Sequence, residues 1–427
     1  MRILLTGGHG FVGSGIAAAL CRSGHAVVIA ARNPRSADVI AGNAVACDMS
    51  CDVLAEDWLP RLAGIDAIVN CAGILRERAG DTFQAVHVDA PLALFRACVT
   101  AGARRVVQIS AIGDARDAEF VASKHRCDVA LAELDLDWVV LRPSVVYSTT
   151  GSYGGTSLLR AQAALPWVLC VPGDGAQAIQ PVSLEDVAAA VVASIERPQA
   201  ARQMIELAGP AVLSIREYLL RWRRWLGVAE PRVLQLPQPL VGMTCAVGEV
   251  LGAGPLGNTM RRMLERGNIA APDALARMDA LLALRPVALE DALHSRPAQS
   301  QDRQHATLYF LFPLLQWCLA LVWLISAATG FVTPVTQVRD LFASAGLPVA
   351  LGPPLVCAVS LLDAVLGLLV LSPRTMRFAA LWMLASVLGY TVLIGVFWPL
   401  TWLEPFGGLV KNLALIPALL FLLAWTR

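Results

Sequence analysis

The chain has 427 residues and a formal net charge of +1, which is too long for one ordinary domain and lacks the concentrated basic surface that nucleic-acid binding needs. Hydrophobic residues make up 56% of it and the mean hydropathy is +0.59, so part of the chain is expected in lipid. Its ten cysteines are scattered. Only Cys47 and Cys51 (CDMSC) lie close together, without the second pair or histidines of a zinc site, so no metal and reduced cytosolic thiols are expected.

Residues 1 to about 195 alternate β-branched runs with amphipathic stretches, the βαβ pattern of a parallel sheet. RILLT, GGHGFVG, IAAALCRSG and HAVVIAAR read as strand, glycine turn, helix and second strand. The opening apolar run is too short for a signal peptide. Gly7, Gly10 and Gly13 give G-x-x-G-x-x-G. The first glycine permits the tight turn, the second lets a pyrophosphate approach the backbone, and the third allows helix and strand to pack closely. Phe11, Val12 and Gly13 then open a helix whose orphan N–H groups face the phosphates. Arg32 ends the second strand, where an NAD site usually carries an acidic residue. A guanidinium there suits a 2′-phosphate, which favours NADP(H) over NAD(H); the alternative is that Arg32 stacks on adenine or is solvated.

Further on, AEFVASKHRC places Phe120 four positions before Lys124. A tyrosine at Phe120 would complete an acid–base pair, because a nearby ammonium lowers the pKa of a phenol from about 10. Phenylalanine has no proton to exchange. Substitutes in reach are Ser110, Ser123, His125, Tyr147 and Tyr153. If Lys124 points at the cofactor, helical geometry turns His125 about 100° away; Tyr147 reads as packing or pocket wall, and Ser110 cannot drive proton transfer alone. The stretch SIREYLLRWRRWLG (214–227) is either a basic helix on a membrane surface or an ordinary helix with a solvated arginine face. Pro239 to Gly257 is apolar but broken by Glu249 and glycines, and reads as helical packing or the lining for a greasy substrate.

Residues 295–305 (SRPAQSQDRQH) read as a polar linker. Four apolar runs follow: Ala306–Val332, Leu347–Leu371, Phe378–Trp402 and Phe406–Trp425. Each is long enough to cross a bilayer and none shows a polar face. Arg303, Arg374, Arg377 and Arg427 flank one side, against Arg339 beside Asp340 and Glu404 on the other. The positive-inside rule then puts the large domain in the cytoplasm and the spans, multi-pass, in the inner membrane. Asp363 and Lys411 lie within these runs; they are either functional groups or a structural pair, with snorkelling of Lys411 as a further option.

Taken together, TGGHGFVG, CDMS, VNCAG, HVDAPLALFRACVTAGARRVVQISAIG, FVASK, LRPSVVY and QPVSLEDVAAAV resemble the short-chain dehydrogenase/reductase superfamily. The resemblance is to the atypical branch that includes the 39-kDa accessory subunit of respiratory complex I, and it continues to about Leu293. It implies an α/β Rossmann-type parallel sheet over residues 1–294, with substrate-covering segments in 151–294. It also implies that Asp48 contacts the adenine amine and that Ala72 and Gly73 flank the cofactor's ribose. Ser110 would lie near the nicotinamide and Lys124 would hold the nicotinamide ribose, while Phe120 stands where active members have the catalytic Tyr. GGLVKNLALIPALL is similar to DoxX-like membrane domains, implying an all-α four-helix transmembrane domain over 306–427.

Three functions are open at this point. One is a membrane-tethered NADP(H)-dependent oxidoreductase or epimerase-like enzyme acting on a quinone or isoprenoid. Another is a cofactor-binding protein without turnover in a membrane complex. In the third, the membrane unit itself is the functional part.

Overall fold

A computed structural model of the protein describes residues 1–34, 43–78, 80–250, 257–403 and 408–425. The chain divides into two units, Met1–Thr307 and Leu308–Arg427. In the first unit, β1 (Arg2–Thr6), β2 (Ala26–Ala31), β3 (Ala44–Ala46), β4 (Ala67–Asn70), β5 (Arg105–Ile109), β6 (Asp137–Pro143) and Gln203–Leu207 form a seven-stranded sheet. The order is Gln203–Leu207, β6, β5, β4, β1, β2, β3, and every pairing is parallel.

The strands are apolar at consecutive positions because both faces are covered. Ile3, Leu5, Val27 and Ile29 meet the helices Phe11–Arg22 and Leu184–Glu196 on one face. Leu4, Val28, Ile68 and Val106 meet Ala90–Ala101 and Glu119–Ala132 on the other. The strand order reverses between β1 and β4, and in such sheets the crevice beyond the carboxyl ends at the reversal is where ligands sit. Thr6, Asn70 and Gln108 are in register there and form a side-chain hydrogen-bond chain from Thr6 Oγ1 to Asn70 to Gln108.

Beyond β6 a second core forms around Tyr147, Leu159, Leu169, Tyr218 and Trp222. Here the surface-lying reading of residues 214–227 fails. Ser214 caps the helix Ile215–Trp225 with Glu217 in a capping box, and Trp222 and Arg223 are 1% and 2% exposed. The Arg223 guanidinium donates to the carbonyls of Ala163, Leu165 and Ala229, so its charge closes the ends of neighbouring segments instead of facing lipid. The apolar stretch from Pro239 becomes the helix Gln238–Val250, 13 residues long, short of a span; residues 251–256 of it lie outside the described residues. The segment read as a linker is largely folded. Leu289–Ser295 is helical, and Ser300 starts a helix that runs to Val332, with Asp302 accepting from the Gln299 N–H at 3.0 Å.

The second unit is all helical. Ser300–Val332, Val349–Leu369 and Met376–Phe397 are long and apolar enough to cross a membrane. The fourth apolar run yields a helix of 14 residues, Asn412–Trp425. Leu319, Leu366, Ala379 and Leu419 bring all four helices into one core. Leu321, Ile325, Leu362, Leu381 and Val392 point outward, which suits hydrocarbon and not water. A further helix, Val335–Ser344, carries the exposed Arg339 and Asp340. Asp363 is 3% exposed and accepts from the Ser326 hydroxyl at 2.8 Å. Lys411 is exposed in a turn ahead of the fourth helix, and among the described residues no ion pair joins it to Asp363. The pairing of the two is therefore corrected: Asp363 faces the bundle interior and Lys411 does not. Arg374, in the turn between the second and third helices, and Arg377, in the first turn of the third, are exposed, while Glu404, Phe406, Gly407 and Arg427 lie outside the described residues.

Candidate functional site

The glycine turn connects β1 to the helix Phe11–Arg22. Gly7 has φ +67°, and a Cβ on it would stand 2.7 Å from the Cys71 carbonyl oxygen. A Cβ on Gly13 would collide with the carbonyl of Gly7. These two glycines are required by backbone geometry alone. Gly10 is the N-cap of the helix and no side chain caps it, so the first-turn N–H groups of Phe11, Val12 and Gly13 are open to an anion.

At the other end of this crevice the structure gathers Arg32, Asp48 and Asp81. The Arg32 guanidinium donates to both oxygens of Asp81 at 2.9 Å and lies 3.6 Å from Asp48. The Asp81 hydrogen bond raises the Arg32 pKa above its ordinary value against the cost of burial. Burial works to raise Asp48, but the Ser50 hydrogen bonds and Arg32 outweigh it and hold that carboxyl below its ordinary value. Asp81 gave no signal in the sequence, since it lies 49 residues from Arg32.

Lys124 and Gly73 are brought together: a Cβ on Gly73 would lie 3.3 Å from Lys124 Nζ and 3.4 Å from His87 Nε2. Lys124 is buried and donates to the Ile109 carbonyl at 2.9 Å. That uses one of three ammonium donors, and burial lowers its pKa. Phe120 sits one turn earlier on the same helix, edge-on to His87 at 5.6 Å and to Phe83 at 6.5 Å. The position of the missing phenol is thus an aromatic cluster.

Four of the five expected substitutes are held by internal contacts. Ser110 donates to the buried Asp128 at 2.7 Å, and Asp128 is paired with Arg142 at 2.8 Å, so the hydroxyl is committed to a buried ion pair. Ser123 donates to the Glu119 carbonyl. His125 turns to the Ala111 carbonyl at 3.0 Å and lines a shallow pocket with Ala122, Val129 and Glu133. Tyr147 is 1% exposed, packed edge-on to Trp222, and burial raises its pKa. Tyr153 is 73% exposed.

His87 was missed by the sequence reading. Its Nε2 accepts from the Ile74 N–H at 2.9 Å and its Nδ1 meets the Ser123 hydroxyl at 2.9 Å. That network assigns a neutral imidazole with its proton on Nδ1. Burial, then Lys124, pushes its pKa down to about 2. Both nitrogens are occupied, so His87 positions the Gly73–Ile74 backbone and has no proton for a ligand.

A parallel sheet in this order, with a glycine turn between β1 and the first helix, defines a Rossmann-type dinucleotide-binding class. Residues 7–198 match an NAD(P)H-binding family model, and residues 320–420 match the DoxX-like family. No curated protein matches the sequence. Among solved structures, Pal from Bacillus thuringiensis is 17% identical with a TM-score of 0.54, covering 73% of this chain and 100% of its own. The UDP-glucose 4-epimerase of Thermotoga maritima is 16% identical, TM-score 0.51, over 74% and 100%. MoeE5, solved with UDP-glucose and NAD, is 18% identical, TM-score 0.51, over 69% and 96%. At these identities the likeness concerns fold. The protein thus joins a Rossmann-type unit that matches an NAD(P)H-binding family to a unit that matches the DoxX-like family and has helices long and apolar enough to cross a membrane.

Proposed function

We propose that the first unit holds NADP(H) at the glycine turn and passes reducing equivalents to a lipid-soluble acceptor such as a quinone, on the cytoplasmic side of an inner membrane crossed by the second unit. The observation that supports this is the contrast around Phe120. The turn, Gly73 and Lys124 keep the form a dinucleotide needs, while no described side chain at the phenol's position carries a mobile proton. Gly7, Gly10, Phe11, Val12 and Gly13 would hold the pyrophosphate, Asp48 the adenine, Ala72, Gly73 and Lys124 the riboses, and Arg32 the 2′-phosphate. The bound nicotinamide supplies a hydride. A carbonyl substrate also needs a proton delivered in place; an acceptor protonated from water does not. Exposed Arg374 and Arg377 support the cytoplasmic orientation, and the outward apolar side chains of the second unit support contact with lipid.

A second reading, a cofactor-binding component without turnover in a membrane complex, is favoured by one observation: Ser110, Ser123 and His87 are all spent on internal partners. NADPH oxidation by the detergent-solubilised protein, with a short-chain quinone as acceptor, separates the two. Turnover in the wild type supports the first reading. Binding without turnover, with carbonyl reduction appearing only in Phe120→Tyr, supports the second.

A further inference from the structure

The part of the first unit beyond residue 150 holds a partly open cavity of about 100 Å³. Its walls are mainly Leu158, Leu159, Leu236, Val241, Met260 and Leu264. The two charged residues lining it, Arg261 and Glu265, are paired with each other at 2.7 Å. Two polar atoms of lining residues are buried and have no hydrogen-bond partner among the described residues: Arg261 Nε and Gln177 Oε1. An unpaired buried donor or acceptor costs about 1–3 kcal/mol, so a ligand oxygen or hydroxyl that reaches either atom would offset that cost.

The helices that wall the cavity are tied to loops at the carboxyl edge of the sheet. Arg76, just after β4, donates to the Gly248 carbonyl at 3.3 Å. Arg266 forms an ion pair with Asp117, in the loop after β5. The cavity therefore belongs to the side of the sheet on which the glycine turn opens.

We infer that this cavity binds a hydrocarbon chain carrying a polar oxygen end, such as a prenyl or acyl chain. The inference rests on the lipid-soluble substrate proposed above and gives that substrate a seat. A nucleoside diphosphate would bring several negative charges to a single arginine already neutralised by Glu265, in a lining whose other residues are uncharged and mostly apolar. At about 100 Å³ the cavity is smaller than the apolar one of about 150 Å³ that takes benzene, so it seats one terminal branched unit of a chain and leaves the rest of the chain outside.

Two cysteines in the lining make the test direct. Cys170 and Cys245 both line the cavity, while Cys21 and Cys51 are exposed elsewhere in the same unit. The full-length protein in lipid nanodiscs is alkylated with N-ethylmaleimide, and each site is followed by mass spectrometry. Farnesol, lauric acid or UDP-glucose is added, and NADPH binding is measured on the same samples. Farnesol should slow alkylation of Cys245 about tenfold and leave Cys21 and Cys51 unchanged. Protection by farnesol over lauric acid identifies a prenyl chain; the reverse identifies a lipid acyl chain. Gln177→Leu should weaken the protection at least threefold, and Leu264→Trp, which fills the space, should abolish it. Protection by UDP-glucose alone, or by none of the three, overturns the inference even if NADPH binds. Protection by a chain without NADPH binding keeps the cavity assignment and removes the redox reading.

Discussion

The turn after β1 and the first two turns of the helix Glu119–Ala132 lie on the same edge of one sheet, yet they relate to chemistry in opposite ways. In the turn, function is written in the backbone: Gly7 and Gly13 are fixed because a Cβ would strike the Cys71 and Gly7 carbonyls. In the helix, function would be written in one hydroxyl, and Phe120 lacks it while packing well against Phe83 and His87. A backbone cradle is hard to lose without losing the fold, whereas a catalytic side chain can be replaced by a close isostere with no packing penalty. Cofactor binding and turnover can therefore separate in this fold, and the experiments below ask whether they have.

The largest effect is expected at Gly10. Its φ of −74° suits any residue and it is an uncapped helix N-cap, while a Cβ there would stand 3.2 Å from the Gly7 carbonyl oxygen, so in Gly10→Asp the gain from capping offsets a tight contact and stability should change little. The same carboxylate would face the pyrophosphate. NADPH affinity should fall more than 100-fold, about 2.7 kcal/mol, with little change in the melting temperature. Fluorescence titration and a thermal melt check both halves, and unchanged affinity would break the comparison at its stronger side. Gly13→Ala is a poorer test because its clash with Gly7 disturbs the fold itself.

Next in size is a pH effect from His87. Its folded pKa is about 2 against an ordinary 6.5, so below pH 6.5 the unfolded chain takes up a proton that the folded one refuses. Its contribution is fully present above pH 6.5 and is lost as pH falls, by up to about 1.4 kcal/mol per pH unit. Between pH 7 and pH 5 the protein should lose about 2 kcal/mol from this residue. His87→Gln, which can still accept from Ile74, should flatten that dependence. Melting curves of both proteins at the two pH values measure it, and identical slopes would mean that His87 protonates freely and is available for acid chemistry after all.

What could be read from the sequence follows the same division. The glycine turn, the parallel sheet and the apolar C-terminal helices depend on local residue type and periodicity, and these are visible in one dimension. The packing of Trp222 and Arg223 was not visible, because a basic helix with tryptophans has the same pattern on a membrane as it has over a second core. The commitment of Ser110 to Asp128, of His87 to Ser123 and of Arg32 to Asp81 spans 18, 36 and 49 residues of chain. Each pairs polar residues with no fixed spacing, so only the folded arrangement reveals them. The fourth apolar run misled in length: its helix begins at Asn412 and leaves Lys411 outside.

The smallest expected effect concerns which dinucleotide binds. Arg32 suits a 2′-phosphate, but its guanidinium already holds Asp81 by two bonds and has Asp48 nearby. The side chain is 56% exposed, and an exposed ion pair is worth at most about 1 kcal/mol. A phosphate can displace Asp81 for that cost, yet it would still meet two carboxylates. The preference for NADPH over NADH should therefore be modest, below about tenfold. Asp81→Ala should raise it several-fold by freeing Arg32, and Arg32→Ala should erase it. Added salt should shrink all three differences, because the charges are exposed. Titration of each variant with both dinucleotides at low and high ionic strength measures this. If Asp81→Ala leaves the ratio unchanged while Arg32→Ala lowers affinity for both equally, Arg32 contacts a part of the cofactor common to the two, and NADP(H) loses its only support in the chain.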